Sequence, residues 1–223
     1  MKKTMLLLGC LLLLLNRPFA QTSSTGQSED PAFMAVMETQ LRILDTARSA
    51  ETFISLANSF ERIGNAGGKY WQPFYYAAFC YAVMAVQGKD KNKIDLLADK
   101  AQEFLDKATA NSPGNSEICT VQAMVLNTKI LADPTNRWRD YSVQSAEFLR
   151  KAKEQDPSNP RPYFVEGRTK MFTPPAMGGG NDVAIPLFEE AISKFKSFQP
   201  ANSIAPRWGE GQAQKMLDQL KKG

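Results

Sequence analysis

The 223-residue chain contains no histidine. That removes Ser–His and Cys–His nucleophilic chemistry and every imidazole metal site. An acid–base enzyme would need another base, such as two carboxylates facing each other in a deep cleft, and no spacing in the sequence marks one. Cys80 and Cys119 lie inside helical apolar patterns. Small buried thiols are expected there, although an oxidising compartment would permit a single disulfide. Gly178–Gly179–Gly180–Asn181–Asp182 runs into a helical pattern, where backbone N–H groups can hold an anion. A Gly-x-x-x-x-Gly-Lys-Ser/Thr pattern is absent, so no nucleotide loop is implied. The expectation is a sharp reversal, with Asp182 capping the helix and Pro186 close enough to its start to be tolerated. Tyr70, Trp71, Phe74, Tyr75, Tyr76, Phe79 and Tyr81 form the densest aromatic stretch. They cannot all face one way on a helix, so most are expected in a core and some could line a binding groove.

The N-terminus has the layout of an export signal: a basic "MKK", the apolar "MLLLGCLLLLL", and "RPFA" ending in a small residue. Cleavage is expected after Ala20. Cys10 in "LLGC" resembles a lipoprotein box, but it lies inside the apolar run, so plain cleavage is preferred over acylation. The run is too short to span a bilayer, and no membrane span is expected in the mature chain. Setting residues 1–20 aside removes Lys2, Lys3 and Arg17 and no acid, leaving 24 basic against 23 acidic residues. A net charge near +1 gives no basic footprint for nucleic acid or a membrane surface. Residues 21–31 are polar and read as a flexible leader, with one folded domain over 32–223. An apolar content of 43% supports a real core.

From Ala32 onward the apolar residues recur at helical spacing. Ser49 before Thr52 is a weak helix cap, Gly64, Gly67 and Gly68 stop that helix, and Pro73 opens the next. Three segments punctuate the pattern, "SPGNS", "DPSNP" and "QPANS", with Pro113, Pro157 and Pro200 set 44 and 43 residues apart. In each, asparagine follows two residues on. Proline cannot continue the outgoing helix, and Asn or Ser can cap the incoming one. The helices before these prolines align in rows: Ala101, Phe104, Leu105, Ala108; then Ser145, Phe148, Leu149, Ala152; then Ala184, Leu187, Phe188, Ala191. Small residues one turn from large ones let helices approach closely. Two-helix units with such faces bury them by stacking, which predicts an all-α helical-hairpin solenoid of about four hairpins and a C-terminal capping helix opened by Trp208–Gly209.

These rows resemble the second helices of the tetratricopeptide repeat family. Ala101, Leu105, Ala108 and Pro113 match its spacing, Ser145, Leu149, Ala152 and Pro157 match with one change, and Pro200 arrives four residues late. First helices match at Ala78, Ala123 and Gly167, with Tyr81 as the aromatic partner. The period is longer than that family's ~34 residues, so neighbouring helical-repeat classes stay open. "PPAMGGGNDVAIPLFEEAISKF" is more narrowly similar to exported tetratricopeptide accessory subunits of TRAP-type solute transporters. The resemblance implies a concave groove lined by first helices, at Gln72, Tyr75, Phe79, Glu117, Thr120, Met124, Asn127, Arg161, Phe164, Arg168 and Met171. It implies a non-catalytic scaffold in the cell envelope, periplasmic or secreted, that binds another protein or peptide there. The arginines would suit a carboxylate. The alternative is a solute- or small-molecule-binding accessory of a periplasmic transporter. Neither reading implies a cofactor, a metal or nucleic acid.

Overall fold

The computed structural model describes residues 30–88 and 90–222. The export signal, Cys10 and most of the leader lie outside the described residues. Four helical hairpins succeed one another in chain order. They are α1 (Pro31–Thr46) with α2 (Ala50–Gly67), α3 (Gln72–Gln87) with α4 (Lys91–Asn111), α5 (Ser116–Ala132) with α6 (Pro134–Gln155), and α7 (Arg161–Phe172) with α8 (Asn181–Ser197). A closing helix, α9 (Glu210–Leu220), packs on α8. Each hairpin packs on the next, and the first helices α3, α5 and α7 also touch in series. This is the all-α hairpin stack that the periodicity predicts.

The termini obey local chemistry. Side chains of Asp30, Ser49, Asp90, Asn115 and Asp133 accept from backbone N–H groups that open α1, α2, α4, α5 and α6, satisfying donors that a helix start otherwise leaves free. Asn159 does the same for the Arg161 N–H at the start of α7. Asn202 accepts from Ile204 N–H, but no helix succeeds the third Pro-x-Asn; residues 198–209 run irregularly to α9. Three boundaries differ from expectation. α1 already begins at Pro31. Gly64 stays inside α2, and the stop comes at Gly68, whose φ of 63° is one that glycine adopts without strain. Gly180 precedes α8 at φ 100°, so Asp182 lies in the first turn and is not the cap.

Second helices bury one stripe. Ala101, Phe104, Leu105 and Ala108 of α4, Ser145, Leu149 and Ala152 of α6, and Ala184, Phe188 and Ala191 of α8 are all buried, with Phe148 and Leu187 half-buried. Gly167 takes the close-packing point of α7, where an added Cβ would lie 3.1 Å from the Phe188 ring. α3 and α5 are covered on nearly every side, which accounts for the aromatic run: Phe74, Tyr75, Tyr76 and Phe79 are buried, and Tyr70, Trp71 and Tyr81 are half-buried. Cys80 is buried and Cys119 half-buried, and both are free thiols. No described helix is long and apolar enough to cross a membrane.

Candidate functional site

Eight of the residues expected to line the first-helix groove are buried: Gln72, Tyr75, Phe79, Glu117, Thr120, Met124, Arg161 and Phe164. Much of their cover comes from the chain itself. The irregular segment 198–209 lies along the first helices. The Trp208 ring stacks on Phe79 at 4.8 Å and meets Phe164 edge-on. Its Nε1–H donates to the Tyr75 hydroxyl at 2.8 Å. The Tyr76 hydroxyl donates to the Ile204 carbonyl at 2.9 Å, and Ile204 is fully buried.

Beneath this segment lies a buried polar network. Glu117 accepts from Arg161 Nη1 at 2.8 Å, Asn159 Nδ2 at 2.8 Å and the Tyr75 hydroxyl at 3.2 Å. Arg161 also donates to the Pro206 carbonyl and stands over the Phe198 ring at 4.9 Å. Burial pushes the Glu117 carboxyl above its ordinary range, while Arg161, Tyr75 and Asn159 pull it back. Burial likewise raises the Tyr75 hydroxyl. The donors and acceptors here are spent mainly on one another, so the cluster fastens segment 198–209 to the hairpins. Tyr75 and Arg161 meet at Glu117 in this fastening, while Phe79 stacks on Trp208 and lines a cavity beside it.

The glycine loop also closes on itself. N–H groups of Gly178, Gly179 and Gly180 donate to carbonyls of Pro175, Pro174 and Lys170, and Lys170 Nζ donates to the Gly178 carbonyl. Those N–H groups are committed and cannot hold an anion. A Cβ at Gly179 would lie 2.2 Å from the Thr173 carbonyl oxygen, so the reversal needs glycine.

The other three expected residues, Asn127, Arg168 and Met171, are half-buried. Asn127 and Arg168 line a groove of about 1130 Å³ between the third and fourth hairpins, a size at or above the upper end for small-molecule pockets, roughly 300–1,000 Å³. Ile130 and Leu131 of α5, Trp138 of α6, Phe172 of α7 and Met177 supply an apolar lining, with Val86 of α3 behind. Met177 comes from a short 3-10 turn, Pro175–Met177. Leu131, Met177 and Phe172 are 47%, 54% and 74% exposed. Arg139 and Arg168 are cations in the lining, and Asp140 is an acid there. Among the described residues Arg168 has no hydrogen-bond or ion-pair partner, and burial away from water lowers its guanidinium pKa below the usual value. Asn127 Nδ2 donates to Thr169 Oγ1 at 2.9 Å, while Asn127 Oδ1 is buried with no partner.

A second cavity, about 960 Å³, opens between α1, α3 and residues 203–215. Its lining mixes charged groups, Glu38, Arg42, Asp45, Arg48, Arg207, Glu210 and Lys215, with an apolar wall of Leu41, Leu44, Phe53, Tyr76, Phe79, Val83 and Trp208. No group of three or more potential metal-ligating His, Cys, Asp or Glu side chains occurs among the described residues.

Of this groove's lining, Asn127 and Arg168 stand at the expected repeat positions on first helices, whereas Leu131, Trp138, Phe172 and Met177 come from helix ends and a loop and were not among the candidates. The available signal was "MFTPPAM", large apolar residues on both sides of a proline pair that ends a helix.

Neither a family model nor a curated protein matches the sequence. The likeness to tetratricopeptide proteins therefore rests on the paired helices and their small-residue stripes. Among solved structures the chain is similar to the HusA haemophore from Porphyromonas gingivalis. The two are 32% identical and superpose with a TM-score of 0.77, over 88% of this chain and 96% of that one.

Proposed function

The chain belongs to the family of the HusA haemophore, and from that premise we propose that it is an exported, non-catalytic carrier that binds haem or a similar tetrapyrrole in the apolar groove between its third and fourth hairpins. The observation that carries this reading is the cluster of large apolar side chains left exposed around one groove, Leu131, Phe172 and Met177 beside Trp138. Exposed apolar patches of that kind mark binding surfaces. A flat macrocycle with an apolar face and acidic substituents matches a lining of aromatic, aliphatic and thioether groups with two arginines. The other cavity also has aromatic walls, but its seven charged side chains suit such a cargo less well than the three of this groove. With no histidine in the chain, recognition runs through the ring face, and Met177 offers a soft sulfur beside it. The N-terminal export pattern agrees with a role outside the cytoplasm. A scaffold that takes a partner peptide in the first-helix groove has less support, because residues 198–209 lie there. The small-molecule alternative is the better supported half of the sequence reading.

Titration of the mature chain with haem, monitored by the Soret band and quenching of tryptophan fluorescence, tests the reading. Saturable 1:1 binding is expected. Phe172→Ala should weaken it roughly 10- to 100-fold, from the ~1.5–3 kcal/mol that covering a large apolar side chain is worth. Its melting temperature should hardly move, since the ring is 74% exposed without ligand. Absence of haem binding, or an unchanged affinity in both Phe172→Ala and Leu131→Ala, would refute the assignment.

A further inference from the structure

The groove has a polar wall as well as an apolar one, and the two are set one helical turn apart. Leu131 lies four residues after Asn127 on α5, and Phe172 lies four after Arg168 on α7. Residues four apart lie on the same face of a helix, one above the other. The apolar residues sit at the C-terminal ends of both helices, and the polar ones sit one turn further in. We propose that Arg168 is the specificity-determining residue of this carrier, gripping a carboxylate of the cargo so that its acidic edge enters first and its apolar edge stays at the mouth under Leu131, Phe172 and Met177.

This rests on the haem-binding reading and adds an orientation to it. Two separate observations point to a polar group of a ligand at this wall. Among the described residues the other half-buried or buried arginines are paired: Arg161 with Glu117 and Arg137 with Asp95. Arg168, half-buried on the same helix as Arg161, has no partner among the described residues, although Asp140 also lines the groove. Beside it Asn127 Oδ1 is buried and unpartnered, as Gln72 Oε1 and Arg161 Nε are elsewhere; Asn127 Nδ2 donates to Thr169, whose hydroxyl in turn donates to the Val165 carbonyl. Buried polar groups in folded proteins are otherwise almost always satisfied. A free guanidinium fork matches a carboxylate with two parallel N–H donors. The cargo class is therefore an apolar, planar molecule with at least one carboxylate, not a neutral one.

The test pairs a protein variant with a ligand variant. Full-length mature chain, Arg168→Met and Arg168→Lys are titrated with metal-free protoporphyrin IX and with its dimethyl ester, monitored by porphyrin absorbance and fluorescence. The parent chain should prefer the acid to the ester by tenfold or more. Arg168→Met should abolish that preference by weakening acid binding tenfold or more, and continued saturable binding of the ester shows that the groove is intact. Arg168→Lys should fall between, since an ammonium cannot make the bidentate contact. An acid-over-ester preference that survives in Arg168→Met would overturn the assignment of Arg168. So would equal affinity of the parent chain for acid and ester, which would leave tetrapyrrole binding itself intact. If the parent chain bound neither porphyrin nor haem, the carrier reading would fall and the orientation with it.

Discussion

Arg161→Met provides a pH-dependent test of the buried network. Arg161 is 1% exposed, and its charge answers that of Glu117, itself 9% exposed. Removing one member of a buried ion pair costs about 3–5 kcal/mol, because the other charge stays buried without its partner. The cost here should depend on pH, since a carboxylate left alone can take up a proton. Burial already lifts Glu117 in the parent chain. An acid lifted in this way favours folding most below its unfolded pKa, and that contribution falls as the pH climbs through its folded value. Losing Arg161 removes the leading influence that lowers it, so the folded variant holds the proton to higher pH than the folded parent. Its deficit should therefore grow with pH, by up to about 1.4 kcal/mol per unit across the interval between the two folded pKa values. Urea unfolding monitored by tryptophan fluorescence at pH 5, 7 and 8.5 measures this. The loss should be largest at pH 8.5, where a midpoint drop of roughly 6–20 °C would accompany it in thermal melts. A deficit below ~1 kcal/mol, or one equal at all three pH values, would refute the view that Arg161 compensates an ionised Glu117.

The packing leads to three further expected outcomes. Trp208→Ala should destabilise by about 2–3 kcal/mol, below the ~3–5 kcal/mol of a fully buried aromatic because the ring is half-buried, and should speed tryptic cleavage after Arg207 as segment 198–209 loosens. Gly211→Ala should raise stability by about 0.5–1 kcal/mol, since a methyl there meets nothing within 4 Å inside α9; Gly179→Ala should lower it, and paired thermal melts compare the two. Burial holds the Cys80 thiol far above its ordinary pKa, so a thiol-reactive dye should label Cys119 first and reach Cys80 only when urea unfolds the chain.

Residues that do local work on the backbone were readable from their types. Asn115 and Asn159 sit two residues after Pro113 and Pro157, and their side chains satisfy N–H groups at the starts of α5 and α7. The small residues of the second helices, Ala101, Ala108, Ser145, Ala152, Ala184 and Ala191, are all buried as their spacing required. The third punctuation misled for a physical reason. Asn202 can cap a turn as well as a helix, and the next seven residues, "SIAPRWG", carry a proline and a glycine that discourage helix. Their apolar Ile204 and Trp208 had to be buried somewhere, and no periodicity says where a non-helical segment goes.

That placement also explains why the proposed groove differs from the one the repeat positions outlined. A repeat pattern reports which residues share a helix face, so it assigned Tyr75, Phe79, Glu117 and Arg161 to a common concavity, and they do converge. It cannot report that Trp208, 133 residues beyond Tyr75, donates a hydrogen bond there. With segment 198–209 over that concavity, the proposed groove lies where the hairpins end. Those ends are built from Leu131, Trp138, Phe172 and Met177, on three helices and a turn with no common period. Arg168 belongs to both geometries: it stands at a groove position of the repeat, one turn inside the mouth. The unpaired state of its guanidinium is a property of three-dimensional neighbours that no linear spacing encodes. The same fact makes it the residue at which the carrier reading and its orientation can be separated by experiment.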